Sequence, residues 1–188
     1  MDFDRRWEAR LGLPPGTVRQ RLADVWAGGA IGALTEQLVH QEIGDRLRLT
    51  PKQVDAMMAD MWTQYLGVGN SELIEYVRRL RPRYRTGILS NSFVGARERE
   101  QKTYGFEDLV DVIVYSHEVG TSKPDPRIYA LTCSRLGIRP EEMLFLDDVE
   151  SIVAAAREAG IHAVQYRDNA QAIADIESAL ADAVAGQG

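Results

Sequence analysis

Two hydrophobic textures follow one another along the chain. Up to about residue 80, apolar residues recur at steps of three and four, the period of a helix with one buried face. Residues 5–11 predict a short helix stopped by Gly12 and Pro14-Pro15-Gly16. Thr17 is the expected N-cap of a second helix to about Trp26, with Gly28-Gly29 breaking the chain. Leu38, Val39, Ile43 and Leu47 mark a third helix after Thr35. Thr50-Pro51 opens a fourth, with Val54, Met57, Met58, Met61, Trp62 and Tyr65 on one face. Ser71 caps a fifth, with Leu73, Ile74, Val77 and Leu80 inward.

After Pro82 the texture changes. Short apolar runs at 86–89, 109–115, 143–146 and 163–166 read as buried strands. Helical stretches separate them at 126–136, where Asp125 is the expected cap, and at 149–159, which ends at Gly160. A last helix follows from Asn169. Strands alternating with helices imply a parallel sheet covered on both faces. The class is α/β, with a helical bundle over 1–80 and a sheet core over 81–188.

Composition narrows the function classes. The 188 residues carry a net charge of -6, which argues against nucleic acid as the main partner. No apolar run reaches the roughly 18–20 residues of a membrane span. The N-terminus lacks the hydrophobic region of a signal peptide. The single cysteine, Cys133, excludes an internal disulfide and fits a cytoplasmic protein. Its place in an apolar helical stretch points to packing.

Chemistry gathers where the strands end, the edge at which doubly wound sheets bind ligands. The first strand runs into Ser90-Asn91-Ser92. The second leads to Ser122-Lys123-Pro124-Asp125-Pro126, and the third ends in Asp147-Asp148. Each group alone has a plain structural use as a turn, a solvated lysine or a helix cap. Together they place a hydroxyl, an ammonium and two hard oxygen ligands suited to Mg²⁺ around one pocket.

At these residues the chain resembles the haloacid dehalogenase-like hydrolase superfamily. Ile88-Leu89-Ser90-Asn91 is similar to its second motif, and Gly120 to Tyr129, around Lys123, to its third. Leu144 to Asp148, followed by Ala154 to Gly160, is similar to its metal-binding fourth motif. The resemblance implies a Rossmann-like core with a small helical cap, and hydrolysis of a small phosphorylated metabolite. Ser90 would bind the phosphoryl oxygen and Asn91 would orient the substrate or its loop. Lys123 would neutralise charge, and Asp147 and Asp148 would hold Mg²⁺, with Asp148 the closer ligand. Ile152 stands where family members often have asparagine, a modest change of packing.

The family's first motif is an apolar strand ending in a nucleophilic aspartate. Asp2-Phe3-Asp4 has its letters, but only Met1 precedes it and a charged run follows. The chain is therefore expected to begin downstream of that motif, with Asp2 the remaining candidate nucleophile and the central strand missing. Direct pairing of the strands at 86–89 and 143–146, or poor stability, is expected in consequence. Two other readings stand beside the phosphatase. One is a catalytically dead binding or regulatory protein. The other is a 2-haloacid dehalogenase, against which the Ser-Asn-Ser and Asp-Asp sequences count.

Overall fold

A computed structural model describes residues 3–185. They form helices α1 (Phe3–Leu11), α2 (Thr17–Ala30), α3 (Glu36–Leu47), α4 (Pro51–Leu66) and α5 (Ser71–Leu80), then strand β1 (Gly87–Ser90). Helix α6 (Ala96–Tyr104), the single turn α7 (Phe106–Leu109), strand β2 (Val112–Tyr115) and a second single turn, α8 (Ser116–Val119), follow. The chain continues through α9 (Pro126–Leu136), β3 (Leu144–Asp147), α10 (Glu150–Glu158), β4 (His162–Gln165) and α11 (Asn169–Ala185). No described helix is long and apolar enough to cross a membrane.

The chain divides into two compact units. The first takes the chain up to Gly69 together with Asn91–Tyr104 and Tyr115–Gly120; the second takes Asn70–Ser90, Gly105–Val114 and everything from Thr121. In the first unit Val25, Val39, Ile43, Met57, Met58 and Trp62 are buried, joined by Phe93 and Ala96 from the later segment. The methionine and tryptophan face of α4 is thus spent on packing. Thr35 caps α3 by accepting the Leu38 N–H at 3.2 Å, and Gln53 Oε1 accepts the Thr50 N–H at 2.9 Å at the start of α4.

Two helix boundaries differ from the sequence reading. Helix α2 does not stop at Gly28-Gly29 but runs to Ala30, with Gly16 rather than Thr17 at its N-cap. Gly29 is a packing residue: a Cβ there would lie 2.3 Å from the Phe93 ring. In the second unit, Asn70 rather than Ser71 caps α5, accepting the Leu73 N–H at 3.1 Å.

The strands form two short pairs, β1 with β2 and β3 with β4. The β3–β4 pair is parallel, with Leu144 opposite His162 and Asp147 opposite Gln165. Thr86 O, just before β1, accepts the N–H groups of Asp111 and Val112 at the start of β2. Those two strands therefore start side by side and run the same way. The strand read at 109–115 begins only at Val112, because 106–109 closes into a helical turn. Direct pairing of the Ser90 and Asp147 strands is corrected: among the described residues β1 and β3 share no ladder.

Candidate functional site

Helix α9 fixes the polarity of the second unit. Its last residue, Leu136, receives a hydrogen bond on its carbonyl from Arg85 Nη1 at 2.7 Å, just before β1. Leu136 Cδ2 also lies 3.5 Å from where a Cβ on Gly87 would sit. One turn earlier, Cys133 Sγ contacts Met143 Sδ at 3.7 Å, just before β3. Further back, the Tyr129 ring meets Phe145 at 5.8 Å in mid-strand. The starts of β1 and β3 thus lie near the C-terminal turns of α9, and β3 runs toward its N-terminal end. Ser90 ends β1 and Asp147 ends β3.

Lys123 reaches the end of β3 from the loop before α9. Its ammonium donates to Asp147 Oδ2 at 2.6 Å, and the two side chains are only 9% and 6% exposed. The ammonium also lies 5.4 Å from the centre of the Phe145 ring, a cation–π position. The other Asp147 oxygen accepts the Val149 N–H at 2.9 Å and so fixes the turn into α10. Asp148 is exposed, and its carbonyl accepts from Gln165 Nε2 at 3.2 Å. A burying wall stands behind the pair. The Tyr129 hydroxyl donates to Ile152 O at 3.0 Å, and burial, with the Asp147 charge second, pushes the phenol up to about 12. Sequence reading passed over Tyr129 and Phe145 because each fits an apolar helical or strand pattern and nothing in the spacing marks them as neighbours of a charge.

Asp125 caps α9 as expected, accepting the Arg127 N–H at 2.9 Å. The Arg127 guanidinium, hydrogen-bonded to the same carboxylate, holds the Asp125 pKa down at about 2. Cys133 is buried and reduced, its thiol pushed up by desolvation. Asn91 is exposed and belongs to the first unit. Asp2 lies outside the described residues. Asp4 sits in the first turn of α1, 3.5 Å from Arg19.

The first unit holds a polar cluster that the sequence reading did not pick out. The Ser92 N–H donates to Ser116 Oγ at 2.8 Å, and Ser116 Oγ donates to Ala30 O at 2.7 Å. Ser92 Oγ and His117 Nδ1 are 2.6 Å apart. Burial lowers the His117 pKa, against the raising pull of Glu118 and Glu98.

The family model for haloacid dehalogenase-like hydrolases matches residues 7–160. The chain belongs to the haloacid dehalogenase-like hydrolases. Among the members of this family it is similar to a phosphatase of Mycobacterium tuberculosis, MT3486, at 40% identity over 42% of this chain and 37% of that one. It is similar to a phosphorylated carbohydrates phosphatase of Thermotoga maritima at 32% identity over 65% of this chain and 57% of that one. The fold is shared with a haloacid dehalogenase-like enzyme of Bacteroides thetaiotaomicron crystallised as a magnesium complex. That match has a TM-score of 0.70 at 23% identity, over 80% of this chain and 78% of that one. The chain spans between 17% and 60% of the length of the four curated relatives it matches first.

Proposed function

We propose that this chain carries the phosphate-holding groups of a cytoplasmic phosphate-monoester hydrolase acting on a small phosphorylated metabolite. The phosphorylated carbohydrates phosphatase among its relatives makes a sugar phosphate the first substrate class to try. The Lys123–Asp147 pair carries the reading. A buried ammonium costs several kcal/mol to desolvate, and beside an open strand edge it offers a point charge for phosphoryl oxygens. Asp147 orients that ammonium, and the Ser90 hydroxyl at the same edge supplies a hydrogen bond to the phosphoryl group. The helices of the first 80 residues would serve as the cap that selects the rest of the substrate.

The donor set fits Mg²⁺ in chemistry, since the ion accepts one or two carboxylates and keeps water for its remaining positions. Asp148 would be the closer ligand and Asp147 the second. No group of three acidic, histidine or cysteine side chains gathers at one point among the described residues, so the ion would rest on these two carboxylates and water. Bound there, it would draw charge from the phosphoryl oxygens.

A second reading, a binding or regulatory protein without the attacking carboxylate, draws on α1. Among the described residues, Phe3–Leu11 is helical, so Asp4 is not carried on a strand.

Calorimetric titration with inorganic phosphate and Mg²⁺ tests the site. Lys123→Gln, which keeps a donor toward Asp147 but loses the charge, is expected to weaken phosphate binding about tenfold or more. Asp148→Ala is expected to abolish Mg²⁺ binding. Turnover of generic phosphate esters is expected to be absent or slight, as binding groups alone leave only a remnant of catalysis. Unchanged phosphate affinity in Lys123→Gln would reject the site. Robust turnover lost in Asp2→Asn would restore Asp2 as nucleophile.

A further inference from the structure

Within the first unit, residues of α1 and of the first two turns of α4 line an open cavity of about 290 Å³. That is near the lower end of the roughly 300–1,000 Å³ of small-molecule sites. Trp7, Leu11 and Ala56 give it an apolar wall, and Arg10, Thr50, Lys52 and Gln53 a polar one. An apolar lining with a few polar groups is the usual make-up of a site for a small organic molecule.

The bonds these residues already make decide what they can still offer. Gln53 Oε1 accepts the Thr50 N–H at 2.9 Å and the Thr50 hydroxyl at 2.8 Å, so both its lone pairs are taken. The amide N–H₂ of Gln53 is left as a donor. Trp7 Nε1 donates to Asp60 Oδ2 at 2.8 Å, so the indole gives the cavity ring carbons and no hydrogen bond. Arg6, 3.0 Å from the same oxygen, balances the Asp60 charge. The Arg10 guanidinium lies 4.6 Å from the centre of the Trp7 ring, a cation–π position.

Arg6, Arg46, Arg97 and Arg99 of this unit each pair with a carboxylate. Arg10 and Lys52 pair with none among the described residues, and no acidic side chain lines the cavity. Both are donors only. In a chain of net charge -6, two cations with no ion-pair role in the fold meet at one cavity, beside a free amide donor and an apolar wall.

We propose that this cavity binds a small aromatic carboxylic acid, with its ring against Trp7, Leu11 and Ala56 and its carboxylate held by Arg10 and Lys52. A guanidinium matches a carboxylate with two parallel N–H···O bonds. Aromatic rings meet an indole favourably at its edge or offset from its face. An acid without a ring would leave the apolar wall uncovered, and a neutral ring would leave the two cations unanswered. The inference concerns the helical first unit and does not depend on the phosphate reading.

Two-dimensional ¹H–¹⁵N NMR of the full 188-residue chain tests it, with benzoate as the probe. Saturable shifts are expected in the Trp7 indole N–H, the Lys52 amide and the Gln53 side-chain amide, with a Kd of about a millimolar. Benzamide keeps the ring without the charge, and acetate the charge without the ring. Each is expected to bind about tenfold or more weakly. Lys52→Gln and Arg10→Gln, at exposed positions away from the core, are each expected to weaken benzoate about tenfold. Equal affinity for benzoate and either analogue would overturn the proposal, as would unchanged affinity in both variants. Shifts gathered around Ser122 and Lys123 instead of α1 and α4 would overturn it too, by placing the acid at the other site. So would the absence of any saturable shift.

Discussion

At the scale of single residues, the Lys123–Asp147 pair sets what substitutions do. With both side chains nearly enclosed, removing one leaves the other charge buried without its partner. Lys123→Ala is expected to lower unfolding free energy by about 3–5 kcal/mol, read from urea denaturation, with Lys123→Gln losing clearly less. Equal losses in the two variants would mean that Asp147 gains nothing from a donor at this position. His117 gives the pH dependence. Its pKa is depressed in the fold, so the unfolded chain takes up a proton first as pH falls. The stability tied to the neutral imidazole is complete above its unfolded pKa of about 6.5, and declines as pH drops toward the folded value. His117→Gln is expected to flatten the melting temperature between about pH 7.5 and 5. An NMR titration placing His117 above the unfolded value would reverse the sign. That Lys123 and Asp147 would meet was legible because strand ends can be located from apolar runs. The Ser92–Ser116–His117 cluster was not, since its members meet across two loops whose course no periodicity encodes.

At the scale of elements, the helices were read more accurately than the strands. A cap such as Asp125 acts locally and could be read outright, whereas the observed caps of α2 and α5, Gly16 and Asn70, lie one residue before the expected Thr17 and Ser71. Short strands are bounded by what they pair with, and a turn such as 106–109 wins residues that a β-branched run seemed to claim. The glycine pair at 28–29 misled for a related reason. Flexibility was the expected use, but close approach is the actual one. Alanine favours a helix over glycine by about 1 kcal/mol, yet Gly29→Ala would drive a methyl into the Phe93 ring. A net loss of about 1–3 kcal/mol is expected there. At Gly28 the nearest atoms belong to the flexible Leu34 side chain, at 2.9 Å, so Gly28→Ala should be close to neutral. Thermal melts of the two variants side by side decide it. A stable Gly29→Ala protein would show that the ring moves aside freely.

At the scale of the whole chain, the class, the motif order and the parallel sense of the strands were readable, because alternation of strand and helix leaves few topologies. That β1 and β3 do not pair directly was not readable, because no local pattern carries which strands become neighbours. The division into units was also not visible, because it does not follow the sequence. The chain crosses between them after Gly69, Ser90, Tyr104, Val114 and Gly120, so neither unit is one continuous stretch. That has a consequence for the chain as it is made. Helices α1 to α4 leave the ribosome before Phe93, Val94 and Ala96, which complete their core and follow about 25 residues after Gly69. The Ser116 hydroxyl that binds Ala30 comes later still. The first helices therefore emerge with an unfinished apolar face, and translation must run past Gly120 before the first unit can close.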